Sequence, residues 1–523
     1  MTGTTAPRIS LLTPVYDPPL DALRATVESV TSQDFESWEL ILVDDRSPDP
    51  EVAGLLRQLA STDPRILVVE RERNGGIVAA SNTALEHARG EFVALLDHDD
   101  LLADGALRSV SAALADDVDY LYTDEDKVAA DGTFYDEFAK PVWSPERLRN
   151  QMYTGHLSVL RADLVREVGG FAEGTDGSQD HDLVLRVTER ARRIVHLPGV
   201  HYHWRAIAGS TAQDPDAKPY AWTAGQAAVQ RHLDRVGIHG TAELGPVPGT
   251  YHVRRRLDPA TKVSIVIPTR GSTALVWGET RCLVVELVRS LVLRSTHANM
   301  EIVVVYDEPT PEAVLAEIRQ LTGERGVLVP FLEPFNFSAK CNVGYLASTG
   351  DVVMFVNDDT ELVSPDLVEQ LGALLLDEGV GASGARLLFA DGSLQHGGHV
   401  YVRGDITHAG FKAPRGADGP FSAFHVSREV SGLTAACVAV TRTTFEEVGG
   451  FCEELPGSFN DVDFSHKIAA AGHRLVWAAN ATMYHFESLT RDSTVLQWEY
   501  DMVLHRWGTP DVDPYFPAGY RVD

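Results

Sequence analysis

Apolar residues along the chain follow two rhythms. Short runs, ISLLTP at 9–14, WELILVDD at 38–45 and FVALL at 92–96, are apolar at most positions, as strands buried on both faces are. Residues 20–33 and 104–115 instead carry apolar side chains three and four positions apart, which predicts amphipathic helices. Strands alternating with helices predict a parallel α/β sheet with crossover helices. In such a sheet ligands sit beyond the carboxyl ends of the strands. The acids of the first half fall there: Asp44 and Asp45 after one run, Asp97, Asp99 and Asp100 after another.

The second half repeats the first. VSIVIP at 263–268 answers ISLLTP, matching Pro268 to Pro14, and MEIVVVYD at 300–307 answers WELILVDD. TGDVVMFVNDDT at 349–360 answers RGEFVALLDHDD at 89–100, with Asn342 placed upstream as Asn82 is. EVGGF occurs at 167–171 and again at 447–451; GSQDHD at 177–182 is echoed by GSFNDVD at 457–463, and Tyr202-His203 by Tyr484-His485. Ordered matches at nearly constant spacing predict two copies of one domain. Pro and Gly interrupt the patterning at Gly245-Pro246-Val247-Pro248-Gly249. The first copy is therefore expected over 1–245, a linker over 246–261 and the second copy over 262–523. A helix over 219–236 should close the first copy. One over 493–507 should close the second, followed by a tail from Pro510 lying over the surface.

Charge and cysteine usage narrow the partners. Lys plus Arg number 45 against 75 Asp plus Glu, a net charge of -30, so sequence-independent nucleic-acid binding is not expected. The four cysteines, Cys282, Cys341, Cys437 and Cys452, form no CxxC pair and no disulfide framework, which points to a reducing cytoplasm. The N-terminus has no signal-peptide pattern, and no apolar run approaches the roughly 18 residues of a membrane span. At most peripheral membrane contact is expected. Arg254-Arg255-Arg256 reads as a solvated exception to the acidic balance.

Two carboxylates one residue apart at a strand end, Asp97 and Asp99, can face one hard divalent cation together with phosphate oxygens. Asn357 and Asp359 stand in the same register of the second copy. Asp44 and Asp307 end the second strand of each copy, where a carboxylate can meet a nucleoside. A capped turn is the equal alternative for Asp44, because Ser47-Pro48-Asp49-Pro50 is strong turn chemistry. Asp180 and Asp461 precede helical patterning and are each followed two residues later by another acid. One acid of each pair can cap the helix while the other serves as a general base.

Together, TPVYDP, the strand ending in Asp44-Asp45, Asn74-Gly75-Gly76 with Asn82, LLDHDD, EVGGF, GSQDHDL and HYHWR resemble the family 2 glycosyltransferases of the GT-A fold. The second copy is similar to them through IVIPT, VNDD, EVGGF and FNDVDF, and the resemblance spans 9–210 and 262–490. It implies an α/β chain of two tandem GT-A (nucleotide-diphospho-sugar transferase, Rossmann-like) domains. It further implies inverting transfer from a nucleotide-sugar donor, a UDP- or dTDP-sugar, to a glycan or lipid-linked glycan of the bacterial surface, in the cytoplasm or at the inner face of the membrane. By resemblance Asp99 and Asp359, assisted by Asp97 and Asn357, would hold Mg2+ or Mn2+ on the donor diphosphate, and Asp180 and Asp461 would be the catalytic bases. His203 and His485, read from their place in the repeat, are expected at the metal or a phosphate, with a structural role the equal alternative. Thr13, Pro14, Asp17, Asp44, Asp45, Asn74, Asn82 and Asp97 would bind donor in the first copy. Thr269, Asp307, Asn342, Asn357 and Asp358 would do so in the second.

The copies differ. Asn357 stands for Asp97, Tyr306 for Asp44, and residues 271–293 depart from residues 17–30. These changes leave room for a second arrangement, in which the N-terminal copy alone is catalytic and the C-terminal copy is a glycan-binding or scaffolding module. A nucleotidyltransferase would need a Gly-rich, cationic phosphate loop after the first strand, and TPVYDPP supplies none.

Overall fold

The computed structural model describes residues 6–206, 219–487 and 495–516. The last helix runs over Gln497–Trp507; positions 493 and 494 of the stretch expected for it, and the tail from 517, lie outside the described residues. The chain divides into two compact units, Met1–Trp143 with Leu148–Gly237 and Ala242–Tyr251, and Ser144–Arg147 with Ile238–Thr241 and His252–Asp523.

In the first unit the sheet runs Ile66–Glu70, Trp38–Asp44, Ile9–Val15, Phe92–Leu95, Ser158–Arg161, Tyr120–Val128, Ile194–Arg205, Leu101–Leu102. In the second it runs Gly326–Phe331, Met300–Asp307, Val263–Thr269, Val352–Val356, Cys437–Thr441, Val380–Leu388, Arg474–His485, Thr360–Leu362. The strand order is the same in both, so the repeat read in the sequence is a repeat of topology. The expected parallel sheet is corrected in its second half. The first four strands of each order are parallel, but Ser158–Arg161 and Cys437–Thr441 run antiparallel to their neighbours on both sides. Apolar patterning reports that a strand is buried, not which way it points, and antiparallel neighbours need no crossover helix.

The second unit shows why its strands are apolar throughout. Ile265 and Ile267 face a layer with Val284, Val288 and Leu291 of helix Leu283–Arg294. Val266, pointing the other way, meets Cys341 and Tyr345 of helix Phe337–Ala347. A strand covered on both faces buries consecutive side chains, and all seven residues of Val263–Thr269 are buried. Some of the helices start at side-chain caps: the Asp49 side chain accepts from Glu51 N ahead of Pro50–Thr62, and Asn336 accepts from Ala339 N ahead of Phe337–Ala347.

The arginine run is a second correction. Arg255 is 3% exposed and donates to both carboxylate oxygens of Glu146, at 3.0 and 2.9 Å, and to Asp377 at 2.6 Å. Arg254 pairs with Asp366. Acids from distant segments take up charge that looks solvated in the sequence.

Candidate active sites

In the second unit a cavity of about 590 Å3 opens at the carboxyl ends of the parallel strands. Thr269, Asp307, the turn Asn357-Asp358-Asp359, Asp461 and His485 all line it. Every residue expected to act in this copy except Asn342 is therefore brought to one place.

The hydrogen-bond chain around His485 fixes how that residue is presented. Glu487 accepts from Gln395 Nε2 at 2.8 Å, which turns Gln395 Oε1 toward His485 Nδ1, 2.7 Å away. A carbonyl oxygen only accepts, so Nδ1 carries the proton, and in the neutral ring Nε2 keeps its lone pair. Nε2 faces Asp359 Oδ1 at 3.1 Å. Beside them Asn357 Oδ1 is buried with no hydrogen-bond partner, while its Nδ2 lies 3.4 Å from His485 Nε2. A carboxylate and an imidazole nitrogen in contact, beside an amide whose oxygen has no partner, are a donor set that fits a divalent cation. Asn357 offers an amide oxygen at the position where the first copy has the Asp97 carboxylate.

Donor-side residues are equally organised. The Asp358 carboxyl accepts from the Thr269 hydroxyl at 2.6 Å, and burial, reinforced by the charge of Asp359, pushes it up to about 7. Asp307 Oδ1 accepts from Lys340 Nζ at 2.7 Å, and Lys340 also donates to Thr269 O at 2.8 Å. Lys340 is 1% exposed and lines the cavity. The sequence reading did not find it, because the first copy has Ala80 at the corresponding place.

The paired acids differ in their partners, but neither caps its helix as one of each pair was expected to, the cap positions being Ser178 and Phe459. Asp461, in the first turn of helix Asn460–Ala470, accepts from Val462 N at 2.9 Å and Ala435 N at 3.3 Å. Asp463 is fully buried and held by Arg506 at 2.7 Å and Trp507 Nε1 at 2.9 Å. In the first unit Asp182 is held by Arg186 and Arg231, whereas Asp180 accepts from His181 N. In each copy the second acid is structural and the first stays near the acidic cluster or in the cavity.

The first unit gathers a different cation-capable set from the one expected. Ligand atoms of Asp97, Asp100 and His156 lie within 4.8 Å of one another. Burial pushes the Asp100 carboxyl up to about 8, with the charges of Asp97 and Asp99 adding to it, and burial also raises Asp97. Burial opposes a charge on His156, but Glu125, Asp97 and Asp100 together raise it to about 9. His203 is placed elsewhere: its Nδ1 lies 2.5 Å from Asp126 Oδ1, and its ring packs on Phe134. The reason is register. His203 stands opposite Leu101, while His485 stands opposite Thr360, one position closer to its acid motif. Side chains alternate faces along a strand, so one step of register turns the histidine to the other side. Tyr202 instead reaches in, donating to Asp100 at 2.6 Å.

Most of the other residues expected at the first donor site have structural partners, Thr13 excepted. Asp44 accepts from Ser47 N and Oγ, forming the capped turn. Asp45 accepts from Gly75 N, Gly76 N and Arg71, and so fixes the loop that Asn74 exposes. Thr13 Oγ1 is buried without a partner, Pro14 O meets His98 Nδ1 at 3.0 Å, and Asp17, at φ 47, donates its N–H to Ser47 Oγ.

Asn82 and Asn342, expected on the donor, act as clamps instead. Asn82 donates to Phe171 O at 2.8 Å and accepts from Phe171 N at 2.9 Å; Asn342 does the same with Phe451, both at 3.0 Å. The clamp explains EVGGF. Gly170 and Gly450 have φ of 66 and 65, and a Cβ would come within 2.6 and 2.8 Å of the clamping amide oxygen. Asn342→Ala is expected to leave the Phe451 backbone groups unpaired and to lower stability by about 1–3 kcal/mol in urea unfolding.

Comparison with known proteins identifies the family of each half. The family described as Glycosyl transferase family 2 matches residues 10–166, and Glycosyltransferase like family 2 matches residues 259–509. Uncharacterized protein y4gI of Sinorhizobium fredii is 40% identical over 98% of this chain and 57% of its own length. O-antigen biosynthesis protein RfbC of Myxococcus xanthus is 34% identical over 98% of this chain and 40% of its own length. The chain thus spans about half the length of these relatives. Among solved structures, S. aureus TarS 1-349 in complex with UDP-GlcNAc shares 21% identity over 43% of this chain and 66% of that chain, with a TM-score of 0.36. No helix among the described residues is long and apolar enough to cross a membrane. The chain belongs to the family 2 glycosyltransferases, with one family domain in each half.

Proposed function

We propose that the chain is a metal-dependent, inverting glycosyltransferase that moves sugars from UDP- or dTDP-sugars to a glycan or lipid-linked glycan acceptor of the bacterial surface, with an active site in each half. It works in the cytoplasm or at the inner face of the membrane, and its catalytic domains are 1–245 and 262–523. The observation that carries this reading is the second unit's cavity, where the Asn357–Asp359–His485 cluster and the Asp461 carboxylate line one space. The relative named for O-antigen biosynthesis supports the acceptor class.

Asp461 takes the proton from the acceptor hydroxyl, whose oxygen attacks the anomeric carbon on the face opposite the leaving nucleoside diphosphate. Asp359, His485 and the Asn357 carbonyl oxygen would hold Mg2+ or Mn2+, which when bound offsets the charge that develops on that diphosphate. Asp307 with Lys340 and Thr269 with Asp358 shape the donor end. In the first unit Asp180 is the corresponding base, and Asp97, Asp100 and His156 would hold the ion. The arrangement in which the C-terminal copy only binds glycan loses ground, because that copy retains both the base and a cation-capable set around one cavity.

The test is nucleoside diphosphate release from a panel of UDP-, dTDP- and GDP-sugars, in Mg2+ or Mn2+ and after chelation. Release that stops on chelation and returns with the cation is expected. Asp359→Asn should raise the Mn2+ concentration needed for half-maximal release from one donor by about 10-fold or more. Release that persists after full chelation would sink the metal role.

A further inference from the structure

One group of side chains in the second unit has no part in the proposed transfer. His399 and His408 stand directly opposite each other on the antiparallel strands His399–Val402 and Asp405–His408. His396 ends the short strand Leu394–His396 beside them. One possible ligand atom from each ring lies within 4.8 Å of the other two. The ring centroids of His396 and His399 are 4.8 and 4.9 Å from that of His408. His396 and His399 are buried, and His399 and His408 line the cavity that Asp461 also lines.

We infer that His396, His399 and His408 form a binding site for a borderline divalent cation of the zinc class, separate from the oxygen-rich set at Asp359. The donor chemistry separates the two. Imidazoles alone favour Zn2+, Cu2+ or Ni2+, whereas carboxylate and amide oxygens suit Mg2+ and Mn2+. Three histidines with one side toward a cavity leave a fourth position open, as in zinc sites that bind an exogenous ligand. Burial, and then the mutual repulsion of the rings, holds His396 and His408 well below the ordinary histidine range, so both are in the uncharged, ligating form at neutral pH. Tyr401 OH, 3.2 Å from His399 Nδ1, orients that ring from behind. His396 Nδ1 and His408 Nδ1 lie 2.7 Å apart and share a proton. His396 Nε2 accepts from Thr434 N at 3.4 Å, so the shared proton sits on His396 Nδ1; when an ion seats, that hydrogen bond opens, the proton moves to His396 Nε2 and the Thr434 contact gives way, with no change of net charge.

The alternative is a hydrogen-bonded histidine cluster with no ion, and titration of the metal-stripped full chain distinguishes them. With Zn2+ competed against a chromophoric chelator in excess Mg2+, wild type should bind one tight equivalent. His396→Gln and His408→Gln should each weaken it by more than the roughly 10- to 100-fold that an outer partner is worth, while Asp359→Asn should leave it in place. Circular dichroism checks that the variants are folded. Co2+ titrated into wild type gives a readout independent of any variant: a four-coordinate nitrogen site absorbs strongly in the visible, an oxygen-rich six-coordinate site only weakly. No tight equivalent in wild type, an equivalent that survives both histidine variants, or a weak six-coordinate Co2+ spectrum would each overturn the assignment.

Discussion

Asp461→Asn is expected to lower turnover at the second site by about 100- to 10,000-fold, the usual worth of a positioned general base. The substitution is nearly isosteric. Its side-chain oxygen can keep the shorter bond from Val462 N, while the amide nitrogen replaces the oxygen that meets Ala435 N at 3.3 Å, so the helix start should keep its shape. What is lost is the ability to take a proton. Asp463 cannot take over, because it is fully buried and engaged by Arg506 and Trp507. The loss should therefore appear in kcat while the KM for donor stays within about 3-fold, the pattern of an interaction made in the transition state. Asp180→Asn should do the same to a different donor or acceptor. A fall in kcat of less than about 10-fold for Asp461→Asn would remove that residue from the mechanism, and leave the C-terminal half as a binding module.

Arg255→Met should cost about 3–5 kcal/mol of stability, a large part of what a domain has. Methionine replaces much of the buried stem, so the loss comes from charge rather than volume. Glu146 and Asp377, with side chains 2% and 9% exposed, would be left facing each other without the guanidinium that both now meet. Removing one partner of a buried ion pair is the costly change; a well-packed neutral cluster is not. The triple variant Arg255→Met, Glu146→Gln, Asp377→Asn should thus recover much of the loss. Urea unfolding reads both. If the single substitution costs under about 1 kcal/mol, these groups are solvated and the buried pair is no source of stability.

The acids at the strand ends were legible because two local signals coincide there: a run buried on both faces and a carboxylate at its end, each repeated in register. Asp180 and Asp461 stood out as acids repeated at the starts of matching helices, whereas the arginines that hold Asp182 and Asp463 gave no such signal. The sequence was silent where a role depends on a partner far along the chain. Asn82 looked like a donor ligand, but its partner Phe171 is 89 residues away. Arg255 looked solvated, with Glu146 109 residues away. Gln395, which sets the tautomer of His485, His156, which joins the first acidic cluster, and Lys340 carry no local pattern at all. Strand direction in the second half of each sheet was hidden as well, since burial constrains composition and leaves direction free.

The one-residue difference in register between His203 and His485 separates chemical identity from chemical role. After a duplication, two copies can keep the same letters at aligned positions and still present different atoms to a ligand, because sliding one strand past its neighbour exchanges which side chains look inward. Such a slide turns Tyr202 toward Asp100 without replacing a residue of the HYHWR motif. Tuning by displacement leaves no mark in an alignment, so functions transferred between the halves of this chain by matching residues alone would assign His203 a task that the backbone has given to others.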